Sequence, residues 1–539
     1  MTTTNPEAPL AGRREWIGLG VLALACLLYV MDLTVLHLAV PAISADLQPT
    51  SSQLLWIIDI YGFMVAGSLI TMGTLGDRIG RRKLLMIGAA AFGVVSLLAA
   101  FSTSAEMLIV SRALLGIAGA TLAPSTLSLI FHMFQDPRQR TAAIGVWIGS
   151  FSAGSAIGPV LGGLMLEYFW WGSVFLLALP VMAALLILGP RVLPEYRDPD
   201  AGRLDLLSAG MAVSSVLAVI FGLKEIAQGG PGPLPVAFIL AGVVIGTLFV
   251  RRQLGLADPM IDVRLFRIPS FNAALAVNFL SIFVMVGYFL FVAQYLQLVV
   301  GLSPLEAGLW SLPSAVAFVV GSQLTPRIVH LIRPGHLIGG GLAVGAAGLA
   351  MLSQVGPSNG LAMLIAASVV ISIGLAPVFG LTTELIVGSA PPERAGAASG
   401  ISETGAELGG ALGIAILGTI GVAIYRGEVA DRLPSTVPAE AEAIARDTLG
   451  SAIAVAGQLP AELGTLVASA AREAFVQGMQ LTSGIAAILA VGLAALAIVT
   501  LRSHGAPPPG EDPDGEAVSY APPEQVAHIA PTRLEGAEG

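Results

Sequence analysis

The sequence predicts an all-α polytopic membrane protein with about fourteen transmembrane helices, on three observations. The 539-residue chain is 55% hydrophobic and 11% charged, whereas an ordinary soluble domain carries about 25% charged residues. Apolar runs of roughly 18 to 28 residues recur almost end to end, each long enough to cross a bilayer as a helix. The basic residues between them gather in every second connection, on one expected side, as topology signals do.

The runs lie near 16–41, 54–75, 84–101, 107–131, 141–167, 172–189, 206–224, 234–250, 270–298, 304–329, 337–353, 360–383, 396–424 and 478–501. Arg13 and Arg14 precede the first, which exceeds a signal-peptide core, has no convincing small-residue cleavage site and is expected to stay as an anchor. The N-terminus is then cytoplasmic. Arg78, Arg81, Arg82 and Lys83 share one short loop, and Arg138 and Arg140 another. Arg191, Arg197 and Arg203 follow, then Arg251, Arg252, Arg264 and Arg267, then Arg327 and Arg333, all on the same expected side. The opposite short loops offer only Lys224, at a helix end, so both termini are expected inside. The predominance of Arg over Lys suggests a GC-rich bacterium as the source, and bears on the source only.

The expected organisation is a cytoplasmic tail at 1–13, helices one to six within 14–192, two inserted helices within 193–252, helices nine to fourteen within 253–504, and a Pro-, Gly- and Glu-rich disordered tail at 505–539. A polar segment at about 426–477 reads as a long outside loop with some helix-forming stretches. A weak echo between MGTLGDRIGRRK at 72–83 and VGSQLTPRIVHLIRP at 320–334 suggests an internal repeat. Cys26 stands alone within the first span, where it reads as a small buried hydrophobe, so neither a disulfide framework nor a cysteine metal site is available.

Against this apolar background the membrane acids stand out. Glu403 and Glu407 in GISETGAELGG lie one helical turn apart and point the same way, each at a cost of at least about 2.5 kcal/mol at the bilayer centre. Desolvated like charges cannot cheaply ionise together, so the pair is expected to hold a shared proton. Asp32 falls near the middle of the first span and marks either a functional site or a partner for Arg112 of span four. Asp59 lies near the outer end of span two, beside Trp56 and Tyr61, where interfacial water is also within reach. His37 lies five residues beyond Asp32, about 140° around the helix, and need not share its face. Glu384 and Glu167 read as interfacial.

Three further patterns are family-specific. GTLGDRIGRRK joins spans two and three: Gly73 and Gly80 permit a tight turn, Asp77 can cap a helix or pair with Arg78 or Arg81, and the basic run faces the anionic leaflet. It resembles the G-x-L-a-D-r-x-G-r-k loop signature of the major facilitator superfamily. SRALLGIAGA, with Arg112, resembles that family's R-x-x-x-G-x-x-x pattern, which favours a buried Arg balancing a membrane acid over one that snorkels outward. GVWIGSFSAGSAIGPVLGG carries Gly154, Gly158, Pro159 and Gly162, a packing stripe that also resembles the G-x-x-x-G-P-x-x-G-G signature of the superfamily's antiporters.

Together with MDLTVLHLAVP and LLWIIDIYG, these motifs make nearly the whole chain similar to the fourteen-span drug:proton antiporters, notably bacterial exporters of quaternary ammonium compounds, cationic dyes and methyl viologen. The resemblance implies two six-helix bundles plus two inserted helices, a monomer, and functional roles for Asp32, Asp59, Glu403 and Glu407. It implies cationic drugs and protons as partners, with no cofactor or nucleic acid. Two departures touch dication preference: His37 stands where many members carry Asn, and span ten has no convincing acid. No G-x-x-x-x-G-K-[ST] loop is present, so the chain cannot drive transport by its own ATP hydrolysis. Export of a self-made antibiotic or metabolite on the same fold, and a non-transporting receptor or scaffold, remain the alternatives. The loop at 73–83 is expected to latch the two halves on the cytoplasmic side.

Overall fold

A computed structural model describes residues 10–197, 205–230, 232–256, 259–261, 264–329, 331–356, 360–390, 395–434 and 436–501. The expected tail at 505–539 and most of 1–13 lie outside them.

Among the described residues, fourteen helices are long and apolar enough to cross a membrane, one for each expected run. They are Arg13–Leu47, Ser51–Ile79, Arg81–Ala100, Ala105–Met133, Ala142–Tyr168, Ser173–Val192, Leu206–Ile226, Pro233–Gly255, Pro269–Val299, Pro304–Ile328, Pro334–Leu352, Gly360–Gly388, Ala398–Arg432 and Ala461–Leu501, numbered here as spans one to fourteen. Each satisfies its own backbone groups internally, the condition for crossing a bilayer.

Span one lies along span five, span nine along span thirteen, and span eleven between twelve and fourteen. Span two crosses to span thirteen, and the start of span ten meets span five. Spans seven and eight form a hairpin of their own, tied by the Ser215 hydroxyl donating to the Gly242 carbonyl at 2.7 Å. The hairpin leans on spans two and thirteen.

Small residues set these close approaches. A Cβ at Gly154 would overlap the Leu27 carbonyl oxygen of span one, and one at Gly308 would overlap the Pro159 carbonyl oxygen. The glycine stripe of span five therefore serves two neighbours: Gly154, Gly158 and Gly162 face span one, while Pro159 and Gly163 face the start of span ten. Gly154→Ala is expected to cost about 1–3 kcal/mol, because the obstructing atom is backbone and cannot turn aside. Thermal unfolding in detergent checks this, and an unchanged midpoint would show that the helices separate freely.

The loop expected to latch the halves has described contacts to its own helix and to the segment just beyond span six. Asp77 pairs with Arg81 at 2.6 Å. Arg82 contacts Glu195 at 3.4 Å and donates to the Leu193 carbonyl at 3.0 Å, both just beyond span six. Gly80 adopts φ +112°, which glycine alone takes without strain, and a Cβ there would strike the Glu195 carboxylate.

The segment expected as a loop at about 426–477 is largely helical. Span thirteen runs on to Arg432 and span fourteen begins at Ala461, with short helices Ala439–Asp447 and Leu449–Ala456 between them. The polar extensions persist because they hold each other. Arg432 contacts Glu428 at 3.0 Å and Glu473 at 2.9 Å and donates to Gln477 at 2.8 Å. The short helices pack across the first half, where the Ser51 hydroxyl donates to the Asp447 carbonyl at 2.5 Å and Arg426 pairs with the Asp447 carboxylate at 3.0 Å. Burial pushes the Asp447 carboxyl up, against the pull of Arg426. Gln297 of span nine also donates to the Leu38 carbonyl of span one at 2.9 Å. These bonds between the halves, with the Gly308–Pro159 approach, lie at the end away from the basic loops.

Candidate functional site: a central cavity with buried acids

A cavity of about 480 Å³ lies between the two groups of helices. Its wall draws on spans one, two and five from the first half, and on nine, ten, twelve and thirteen from the second. Most of it is apolar or aromatic, including Trp310, Phe289, Phe318 and Phe379, with Asn278, Tyr288 and several serine and threonine hydroxyls among its neutral polar groups. Asn278 is itself engaged, accepting from the Thr382 hydroxyl at 2.9 Å.

Glu403 and Glu407 line this cavity from span thirteen, as their spacing of four requires of one helix face. Among the described residues neither carries an ion pair. Glu407 accepts a very short hydrogen bond from the Tyr29 hydroxyl of span one, which joins the two halves through a carboxylate. Tyr29 escaped the sequence reading because an aromatic residue in a membrane helix carries no distinguishing pattern. His37 also borders the cavity, and its Nδ1 is buried without a hydrogen-bond partner.

The other two acids are neutralised. Asp59 borders the cavity, but its carboxylate is wholly buried and pairs with the Lys224 ammonium at 2.7 Å. This corrects two expectations. Asp59 does not reach interfacial water, and Lys224 is no loop residue but a member of span seven, only 2% exposed. The Lys224 ammonium also sits 3.8 Å from the centre of the Trp56 ring. Sequence held one available signal: Lys83 and Lys224 are the only lysines in the chain, and Lys224 closes an apolar run.

Asp32 does not line the central cavity, where the expectation of a cation site at this residue would place it. It faces the interior of the first half and pairs with Arg112 at 2.5 Å, with the Arg side chain fully buried and the Asp side chain 8% exposed. Arg112 further donates to the Ile57 carbonyl at 3.4 Å and lies 4.6 Å from the Tyr61 ring centre. The Arg is thus buried rather than snorkelling. Because Asp32 and His37 differ by about 140° in direction, the same helix can turn one toward Arg112 and the other toward the cavity. Glu384 and Glu167 are exposed, as expected.

This sequence and this fold have known relatives. The Major Facilitator Superfamily profile matches residues 22–414. The chain belongs to that superfamily. It is 43% identical to the multidrug efflux pump LfrA of Mycolicibacterium smegmatis, over 92% of this chain and 98% of the relative. It is 37% identical to the methyl viologen resistance protein SmvA of Salmonella typhimurium, over 86% and 93%. It is 32% identical to the tetracenomycin C resistance and export protein of Streptomyces glaucescens, over 93% and 94%. Among solved structures, a bacterial homolog of the human lysosomal transporter Spinster, inward-facing and unoccupied, superposes with a TM-score of 0.65 at 19% identity, covering 92% of this chain and 98% of that one. The superfamily chain is accordingly a multi-pass membrane transporter and not an enzyme, and the receptor or scaffold alternative falls away.

Proposed function

We propose that this superfamily member is a proton-coupled antiporter of the bacterial inner membrane, with both termini cytoplasmic, which exports lipophilic organic cations by alternating access. The observation that carries this reading is the pair Glu403 and Glu407 on a cavity wall that is mostly apolar and aromatic, with no ion pair to either among the described residues. A desolvated organic cation carries no fixed hydrogen-bond demand, so carboxylate charge and aromatic faces suffice to hold it while tolerating many shapes. Proton and cation compete for the same carboxylates. The coupling follows from that competition, since each ligand weakens the other by an equal factor.

In this reading the segments 14–192 and 253–504 rock about the cavity, and the inserted hairpin within 193–252 moves with the first. The multidrug and methyl viologen relatives support cationic cargo. The tetracenomycin relative keeps export of a self-made antibiotic as the second reading. Everted vesicles carrying the protein should accumulate ethidium when their interior is acid and release it on adding an uncoupler. Accumulation that ignores the proton gradient, or that matches vesicles lacking the protein, would overturn the proposal.

A further inference from the structure

Asp59, Trp56 and Lys224 form an arrangement that the cation-binding reading does not use. A carboxylate and an indole face are the groups that would recognise an organic cation. Here both are taken by the protein's own ammonium, at 2.7 Å from Asp59 Oδ2 and 3.8 Å from the indole ring centre. Asp59 Oδ1 is buried with no hydrogen-bond partner, so half of the carboxylate has unused accepting capacity. Asp59 nevertheless borders the cavity that Glu403 and Glu407 line. The ammonium comes from span seven, part of the inserted hairpin and not of either six-helix group.

We infer that Asp59 and Trp56 form a second cation subsite at the edge of the cavity, and that Lys224 is a tethered cation filling it, which biases the cavity toward substrates with a single positive charge. The inference rests on the cation-binding reading proposed above. Its physical basis is charge balance. With Lys224 in place, Asp59 contributes no net charge to the cavity, and a dication is balanced only if Glu403 and Glu407 ionise together, which their desolvation and mutual repulsion oppose. Without Lys224, the Asp59 carboxylate and the vacated volume over Trp56 become available to a second charge on the ligand. A pair that merely pins the hairpin to span two would predict no effect on charge preference.

The test compares the dication methyl viologen with the monocation tetraphenylphosphonium, each bound to full-length protein in detergent, for wild type, Lys224→Ala, Asp59→Asn and the double variant. Lys224→Ala should raise the dication-to-monocation affinity ratio by about tenfold or more. Asp59→Asn removes the carboxylate of the subsite, so the ratio should not rise above wild type in that background, whether or not Lys224 is also replaced. The double variant should therefore stay near the wild-type ratio. If Lys224→Ala fails to fold, Lys224→Gln takes its place in the comparison. An unmoved ratio in the folded Lys224 variant, or an equal rise in that variant and the double variant, overturns the inference. Wild-type protein that binds neither probe would instead defeat the functional reading, and this inference with it.

Discussion

Replacing both Glu403 and Glu407 with Gln is expected to abolish proton-driven cation transport and to lower the number of protons released per cation bound. Both side chains stand on one face of span thirteen at the central cavity, and no basic side chain pairs with either among the described residues. Their charge is therefore balanced by what enters: a proton or a cation. Two desolvated carboxylates one turn apart cannot ionise together cheaply, so at least one should carry a proton while the cavity is empty. An arriving cation replaces that proton's charge and releases it. Gln preserves volume and hydrogen bonding but has no proton to exchange. The single variants should differ, because Glu407 also accepts from Tyr29 across the two halves. Glu407→Gln should weaken the contact between halves as well as remove the exchange, because an amide oxygen accepts the Tyr29 hydroxyl less strongly than a carboxylate, whereas Glu403→Gln should affect the exchange alone. The measurement is cation-induced proton release from detergent-solubilised protein, with vesicle transport beside it. Unchanged release in a folded double variant would make the pair structural and leave coupling to Asp32 and Asp59.

What could be read from sequence divides along a physical line. All fourteen helices were visible, because crossing a bilayer demands a long apolar run whatever its neighbours do. The shared face of Glu403 and Glu407 was legible for a local reason, since a spacing of four fixes it. Which way Asp32 points was not. A membrane helix is apolar on nearly every side, so its pattern does not distinguish the face toward a cavity from the face toward another helix. The Asp32–Arg112 pair could be suspected from chemistry, but the choice between it and a cation site depended on rotation about the helix axis.

Lys224 was misplaced because Glu225 and Gln228 follow it and resemble the start of a loop. Only the packing of span seven on span two reveals its partner. The helical extensions beyond the membrane runs were missed for the converse reason. They are stabilised by side chains reaching between two helices, as Arg432 does to Glu473, and hydropathy along either helix alone cannot register that.

Asp32→Asn is expected to leave cation affinity within a few-fold of wild type and to abolish transport. Asp32 lies off the cavity wall, so its charge does not touch the cargo directly, while it balances an Arg112 side chain with no exposure to water. Breaking such a pair by removing one partner costs about 3 to 5 kcal/mol, chiefly because the remaining charge is stranded. Asn softens that loss by keeping an oxygen that can accept from the guanidinium, so the variant should fold, with a lowered thermal midpoint. Arg112→Met strands the carboxylate instead and should lower the thermal midpoint as well. The double variant Asp32→Asn, Arg112→Met removes both charges and should recover much of the stability without recovering transport. That separation is the informative result. The pair ties span one to span four inside the first half, and a proton arriving on Asp32 would release Arg112 from its tie, a local charge change that alters how span one is held against the cavity. Binding of tetraphenylphosphonium and ethidium transport, measured on the same preparations, decide the matter. Loss of binding in proportion to transport would put Asp32 at the ligand after all, and transport restored in the double variant would show that the pair serves only to keep the helices together.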